Sequence, residues 1–479
     1  MEQISPPHLP LHSSLPSANG IQTAHGQFNP LSLSIIGLGV EYPPYNLVPG
    51  DLDKLVGKFY PKTKALDKIC SINRFTGIES RSSIGPSDHP IANQRDAPSI
   101  DTLCKVWLEY GVPLSVAAAK KAMKEAKLQP GDITHVVSTT CTNSANPGFD
   151  HFVAKELGLS NSVEKVLLHG VGCSGGLAAL RTASNLALGA RYRRRKARVL
   201  VLACEISTIM VRSELDSIHE NQETRIGVCL FSDCASSLVL SNGIGNNGQD
   251  VREDAVYEYL GYDHRILPDT EADLGFDVHP LGWKVVLSPR VPGLAQSSVA
   301  PAFKDLLASI PALPEEYQKP EDFDWALHPG GATILTGVEK AMNISSEHMR
   351  ASYATYMAHG NSSSATIISV MDLMRRGEMD GMAPDGKVKD YVVGCAFGPG
   401  ISVEVCMLKR NMQHGKNDAV AEPPRVSTGL GGEITPPESD GSEGSQPDEG
   451  DKEKVLHTAE IMEMKEETLI EALGGVELD

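Results

Sequence analysis

A duplicated α/β fold is what this chain predicts, and three observations predict it. Strand-like apolar runs alternate with segments of helical period. The alternation recurs, weakly but in the same order, in the second half. In both halves a glycine-rich turn introduces a helix. Strands alternating with helices imply a largely parallel or mixed sheet covered on both faces.

Taken in order, residues 31–40 (LSLSIIGLGV) read as an apolar opening strand, 114–127 as a helix, and 133–140 (ITHVVSTT) as a strand leading into CTNSANPG. Residues 166–168 read as a buried strand, and 177–188 repeat apolar residues at helical spacing. Between them lies the turn HGVGCSGGL. The runs 198–206 (RVLVLACEI) and 231–241 (FSDCASSLVLS) are two further strands that close the half. In the second half, strand 323–327 with its HPGG turn and helix 332–342 stands where ITHVVSTT and its successor stood. HGNSSSATIISVMDLM (359–374) overlies HGVGCSGGLAALRTAS (169–184), with the same expected order of strand, turn and helix. Residues 390–395 match RVLVLAC, and 400–408 (GISVEVCML) match ASSLVLS.

These limits divide the chain into four segments. Residues 1–32, with five prolines and little periodicity, are expected to be a disordered extension. Residues 33–250 form the first half and 251–410 the second. Residues 411–479 hold 17 Asp and Glu against 5 Lys and Arg, so this tail carries −12 of the total −18 and the body only −6. The tail is too polar to offset chain entropy and should be mostly disordered, apart from a ragged apolar helix within 454–473.

Composition excludes several classes of function. No segment is long and apolar enough to span a bilayer, and residues 1–32 lack the apolar core of a secretory signal, so a cytoplasmic protein is expected. Nine scattered cysteines without CxxC pairs argue against a disulfide framework or a metal site. The basic run RYRRRKAR (191–198) suits a solvated helix end, and with an electrostatically ordinary body no nucleic-acid partner is expected. The glycines near 244–248 and 397–400 do not form a dinucleotide fingerprint.

The chemistry concentrates on three turns. Cys173 sits on a tight strand-to-helix turn, where the helix N-terminus favours thiolate and can bind a developing oxyanion. Duplicated halves related by a pseudo-twofold axis bring equivalent turns to the middle of the molecule, so Cys173 should face Asn361, with His328 from the preceding turn as third member. Cysteine can carry an acyl group as a thioester. Histidine can pair with the thiolate and donate to an oxyanion, and asparagine is a donor that does not titrate. Two donors aimed at one oxygen, with no carboxylate base nearby in sequence, suit enolate stabilisation after decarboxylation better than hydrolysis. That points to carbon–carbon bond formation.

Cys173 within GCSGGLAALRTA, His328 within HPGG, Asn361 within GNSSSA and the loop AFGPGIS (396–402) together resemble a type III polyketide synthase of the chalcone and stilbene synthase family, in its fungal branch. The resemblance covers about residues 31–410. It implies the thiolase fold, a five-layered αβαβα core, and a homodimer. It also implies loading of an acyl-CoA starter on Cys173, decarboxylation of malonyl-CoA beside His328 and Asn361, and cyclisation to a pyrone or resorcinol-type ring. The thioesters are substrates and no cofactor is implied. Phe231 matches the first of two family gatekeeper phenylalanines, and Val285 falls at the second, where a smaller side chain widens the passage. Met210 and Ser363 fall at wall positions, Gly398, Pro399 and Gly400 in the glycine loop, and Lys68 and Arg74 near the CoA-binding basic residues. Asn146, before Pro147, falls where the family inserts a residue from the partner subunit. A priming ketoacyl synthase would share Cys, His and Asn but not HPGG followed by AFGPG. A thioesterase would need a positioned base, and a non-catalytic relative would have lost one of the three.

Overall fold

The computed structural model describes residues 31–279, 282–310 and 313–414. The expected extension up to residue 30 and the tail beyond 414, with its terminal helix, lie outside the described residues.

One nine-stranded sheet runs through the molecule, and its strand order is nearly palindromic. From one edge it reads Glu164–Leu168, His135–Thr139, Arg198–Ile206, Asp233–Ser241 and Leu33–Glu41. Across a seam it continues Tyr257–Ile266, Ser402–Arg410, Tyr391–Gly398 and Asp324–Leu327. In the first half His135–Thr139 is parallel to Arg198–Ile206, which is antiparallel to Asp233–Ser241, which is antiparallel to Leu33–Glu41. In the second half Asp324–Leu327, Tyr391–Gly398, Ser402–Arg410 and Tyr257–Ile266 repeat that pattern. Within the sheet, among the described residues, the two halves join where Leu33, Ser34 and Ile35 pair with Tyr259, Glu258 and Tyr257.

Five layers follow from which faces are apolar. The helices Gly175–Tyr192 and Thr366–Met374 form the central layer: Leu177, Leu180 and Ala183 share one buried cluster with Ile367, Val370 and Met371, and with strand residues of both halves such as Val201, Leu238, Tyr259 and Val392. The helix Ile100–Glu125 covers the outer face of the first half through Ala118, Ala119 and Ala122. Val291–Ser309 and Ala332–Met342 cover the outer face of the second, over Trp325, Val393 and Val405. This is the thiolase fold in its αβαβα form.

Three local readings need correction. The strand Glu164–Leu168 lies at the sheet edge with one neighbour, so it is half-buried or exposed along its length and not buried. The first long helix begins at Ile100, because Ser99 caps it through a bond from the Thr102 N–H, and it tolerates Pro113 within. No strand precedes Asn361. The chain arrives there from the helix Arg350–His359, whose Tyr353 and Tyr356 are buried at helical spacing, and Gly360 ends it at φ +74°. The basic run is paired with acids: Arg191 and Arg194 to Asp250, Lys196 to Asp132 and Arg198 to Glu253.

Candidate active site

Cys173 lies in a short 3-10 turn, Gly172–Ser174, at the foot of the central helix Gly175–Tyr192. Gly172 has φ +56°, and a Cβ there would come within 2.6 Å of Pro399, so glycine is required both for conformation and for space. At Gly398 a Cβ would meet the Ser174 Oγ at 2.1 Å. The expected binding residues Gly398 and Pro399 thus pack beneath the Cys173 turn and hold it, while the Gly400 N–H donates to Leu274 O at 2.9 Å.

Asn361 is buried and oriented by its own turn. Its Oδ1 accepts the Ser363 N–H at 2.7 Å, which leaves Nδ2 to donate to Gly330 O at 3.2 Å. Ser363 adopts φ +48°, a left-handed strain that a non-glycine residue keeps only where its surroundings hold it. Its Oγ stands 3.5 Å from Cys173 Sγ and 3.4 Å from Cys141 Sγ. His328 follows the strand Asp324–Leu327, its N–H bonded to Cys395 O at 2.8 Å, and its own carbonyl accepts from Gly330. A contact chain therefore runs Cys173, Ser363, Asn361, Gly330, His328.

The electrostatics depart from the expected ion pair. Desolvation pushes the Cys173 thiol up to about 11, against lowering contributions from Ser363 and Asn361. Burial drives the His328 imidazole down to about 3, and neither ring nitrogen has a hydrogen-bond partner among the described residues, so nothing offsets the cost of charging it. Both groups are neutral on these directions.

A carboxylate also stands closer than the sequence suggested. Glu205, fully buried, accepts from the Cys141 and Thr142 N–H groups, from the hydroxyls of Thr140 and Thr142, and from the Ser364 Oγ. Burial raises its pKa while these donors oppose the rise. Its lone pairs are occupied, so it braces the wall behind Cys173 and Ser363 and is not free to activate water.

Phe231 forms a parallel bridge with Asn361, and its ring lies 6.2 Å from that of Phe276, which sequence reasoning had missed. Val285 pairs directly opposite Phe276. Met210 is buried in the cluster against which Phe276 packs. Asn146 is exposed, and its bond to Pro147 is cis. Arg74 is exposed and paired with Asp53 at 3.0 Å, and Lys68 is half-buried on the helix Lys64–Phe75. Neither joins the contact chain. His359 is a brace, stacked on Tyr42 at 3.6 Å and bonded to Ser82.

The N-terminal domain profile of the chalcone and stilbene synthases matches residues 65–244, and the C-terminal domain profile matches 261–412. The chain belongs to the chalcone and stilbene synthase family. Within it the similarity is to fungal type III polyketide synthases. A type III pentaketide synthase from Neurospora crassa superposes with a TM-score of 0.78 at 62% identity, covering 80% of this chain and 100% of that one. The acylalkylpyrone synthase CsyB of Aspergillus oryzae is 37% identical over 381 residues, 79% of this chain and 94% of its own. A crystal structure of CsyB complexed with CoA-SH superposes with a TM-score of 0.75 at 37% identity, covering 79% of this chain and 100% of that one. The type III polyketide synthase PspB of Penicillium soppii is 37% identical over 396 residues, 80% of this chain and 97% of its own. As a type III polyketide synthase the protein is of the acyltransferase class and works by decarboxylative condensation.

Proposed function

We propose that this synthase loads a fatty acyl-CoA starter on Cys173, extends it with malonyl-CoA and cyclises the chain to an alkylpyrone or an alkylresorcinol-type product. The contact chain from Cys173 through Ser363 and Asn361 to His328 carries the reading. As the Cys173 sulfur attacks the starter carbonyl, its proton passes to His328 and CoA leaves as the thiol. The acyl group then rests as a thioester at the foot of the central helix. Malonyl-CoA follows; the His328 N–H and Asn361 Nδ2 donate to its thioester oxygen, so loss of carbon dioxide leaves an enolate that both stabilise. The enolate carbon attacks the Cys173 thioester and expels the Cys173 thiolate, leaving the extended chain as a CoA thioester; the thiolate attacks that thioester in turn, CoA leaves, and the chain is back on Cys173 for the next round.

A long starter is supported by Val285 at the gatekeeper position and by the acylalkylpyrone product in the name of the Aspergillus relative. The CoA complex of CsyB supports CoA thioesters as substrates; Lys68 and Arg74 are proposed as outer contacts to CoA on the family resemblance alone. We further propose a homodimer in which the exposed Asn146 turn reaches the partner's site. A reducing cytoplasm fits nine free cysteines, and no helix among the described residues is long and apolar enough to cross a membrane.

The test is incubation with malonyl-CoA and acyl-CoA starters of graded length, with products and protein adducts identified by mass. Wild-type protein should carry one adduct of starter mass and release pyrone or resorcinol products; Cys173→Ala should lose both while remaining folded. An adduct that persists in Cys173→Ala would move the nucleophile elsewhere.

A further inference from the structure

Beside Phe231, which bridges to Asn361, stands a two-stranded hairpin outside the central sheet, joined at its base to the turn between two of that sheet's strands by the Gly400 N–H on Leu274 O. Its strands, Leu274–His279 and Gly282–Leu287, pair among the described residues with each other alone, and Val285 stands opposite Phe276. The base is tied by Ser288, whose Oγ donates to Asp273 and whose N–H donates to Asp273 O at 2.7 Å. At the level of the site, the outward backbone groups of an edge strand would have no partner. Two side chains take them. The Val285 N–H donates to Glu214 Oε1 at 2.9 Å, and Arg225 Nη1 donates to Val285 O at 3.3 Å.

We propose that Glu214 and Arg225 are positioning residues that set the width of the acyl passage by gripping the Val285 backbone at both of its polar groups. Three observations support this beyond the two bonds. First, Val285 packs beside Phe231, the other gatekeeper position: a Cβ at Gly227 would lie 3.0 Å from Val285 Cγ2 and 3.4 Å from Phe231 Cδ2. Second, the grip is costly. Glu214 is 3% exposed, its other oxygen and the Arg225 Nε have no partner among the described residues, and desolvation raises its pKa. A neutral acceptor would satisfy one N–H with less desolvation, so the arrangement is a positional one. Third, the two residues tie the hairpin to the segment that carries the site. Glu214 lies on the helix Val211–Asn221, and Arg225, itself fixed by Glu223 at 2.9 Å, stands two residues before the short helix Gly227–Leu230 that runs into Phe231 and its bridge to Asn361. Neither residue touches the contact chain around Cys173, so both act through Val285.

This inference rests on the proposed use of acyl-CoA starters, and the experiment separates the two. Full-length Glu214→Ala, Glu214→Gln and Arg225→Met proteins are compared with wild type for kcat/KM on a short and a long acyl-CoA, and for malonyl-CoA decarboxylation without starter. Loss of the acceptor in Glu214→Ala should change the long-to-short ratio by about threefold to tenfold, and Arg225→Met should change it in the same direction. Glu214→Gln keeps a carbonyl acceptor and should restore the wild-type ratio. Decarboxylation, which needs only His328 and Asn361, should stay within about twofold in all variants. An unchanged ratio in folded Glu214→Ala, a Gln variant as altered as Ala, or decarboxylation falling in parallel overturns the proposal. If Glu214→Ala does not fold, Arg225→Met decides on the same terms. Wild-type protein that condenses no starter would fail the starter reading alone. The grip would then be judged by amide exchange of residues 274–287, expected faster in Glu214→Ala than in Glu214→Gln, with equal rates overturning it.

Discussion

Asn361 offers a donor and not an acceptor because its oxygen is already engaged by the Ser363 N–H two residues on. His328 has the opposite situation, buried and with both ring nitrogens unengaged among the described residues. One group is fixed and the other free to take or give a proton, and that difference predicts separable defects. His328→Ala and Asn361→Ala should each raise the barrier to malonyl-CoA decarboxylation by roughly 2 to 4 kcal/mol, the value of one oxyanion donor. Iodoacetamide alkylation of Cys173 should slow mainly in His328→Ala, because only histidine can accept the thiol proton; equal rates in the two variants would contradict the division. At this scale the sequence was legible where chemistry is local. Cys173, His328 and Asn361 each sit in a short glycine-containing motif whose turn can be read directly. Glu205, Cys141 and Phe276 were not legible, because each reaches the site through packing between segments far apart in the chain. The one local hint was a glutamate following the apolar run VLVLAC in the strand RVLVLACEI.

Among the elements, the strand Asp324–Leu327 that delivers His328 is held at its start by charge. Asp324, fully buried, takes both Nη groups of the equally buried Arg350 at 2.8 Å, and Arg410 approaches the same carboxylate at 3.3 Å. Removing one partner of such a set leaves a buried charge without compensation. Asp324→Asn should therefore destabilise the protein by about 3 to 5 kcal/mol, read as a lower midpoint in urea unfolding, while an Arg350→Lys variant should lose less. Elements with one strong period were legible to the residue: the strand Arg198–Ile206 and the helix Ala332–Met342 have the predicted bounds. The segment before Asn361 misled because the repeat with the Cys173 turn is real at the turn and helix but not upstream, where buried tyrosines at helical spacing decide the structure. Layering of the halves was legible from order alone, but the hairpin around Phe276 and Val285 was not, since its strands belong to neither repeat.

For the molecule as a whole, the first residues assigned to the acidic tail belong to the body. Asn411 Nδ2 donates to Ala255 O at 2.7 Å, and His414 lies 3.1 Å from Glu125 and 3.4 Å from Asp254. Hydrogen bonding to Glu125 raises the His414 pKa. Burial pushes Glu125 and Asp254 up, but His414 with Arg375 or Lys127 outweighs it and holds both low. The raised histidine contributes fully below its unfolded value and loses its contribution as pH climbs through the folded one. The lowered carboxylates contribute above their unfolded values and lose theirs as pH falls through the folded ones. The clamp is therefore strongest between about pH 4.5 and 6.5. The Tm difference between wild type and His414→Ala should be greatest in that window and shrink towards pH 8; a constant difference across the range would show that His414 acts by packing alone. Truncation after His414 should spare folding and activity. The seam has a consequence for how the chain is made. The strand Leu33–Glu41 pairs with Asp233–Ser241 on one side and Tyr257–Ile266 on the other, so it is synthesised about 190 residues ahead of the nearer of these two neighbours. At cellular rates of synthesis that is on the order of ten seconds or more. Through that interval an apolar edge is open to any passing strand, and keeping it safe falls to chaperones at the exit tunnel and not to the fold.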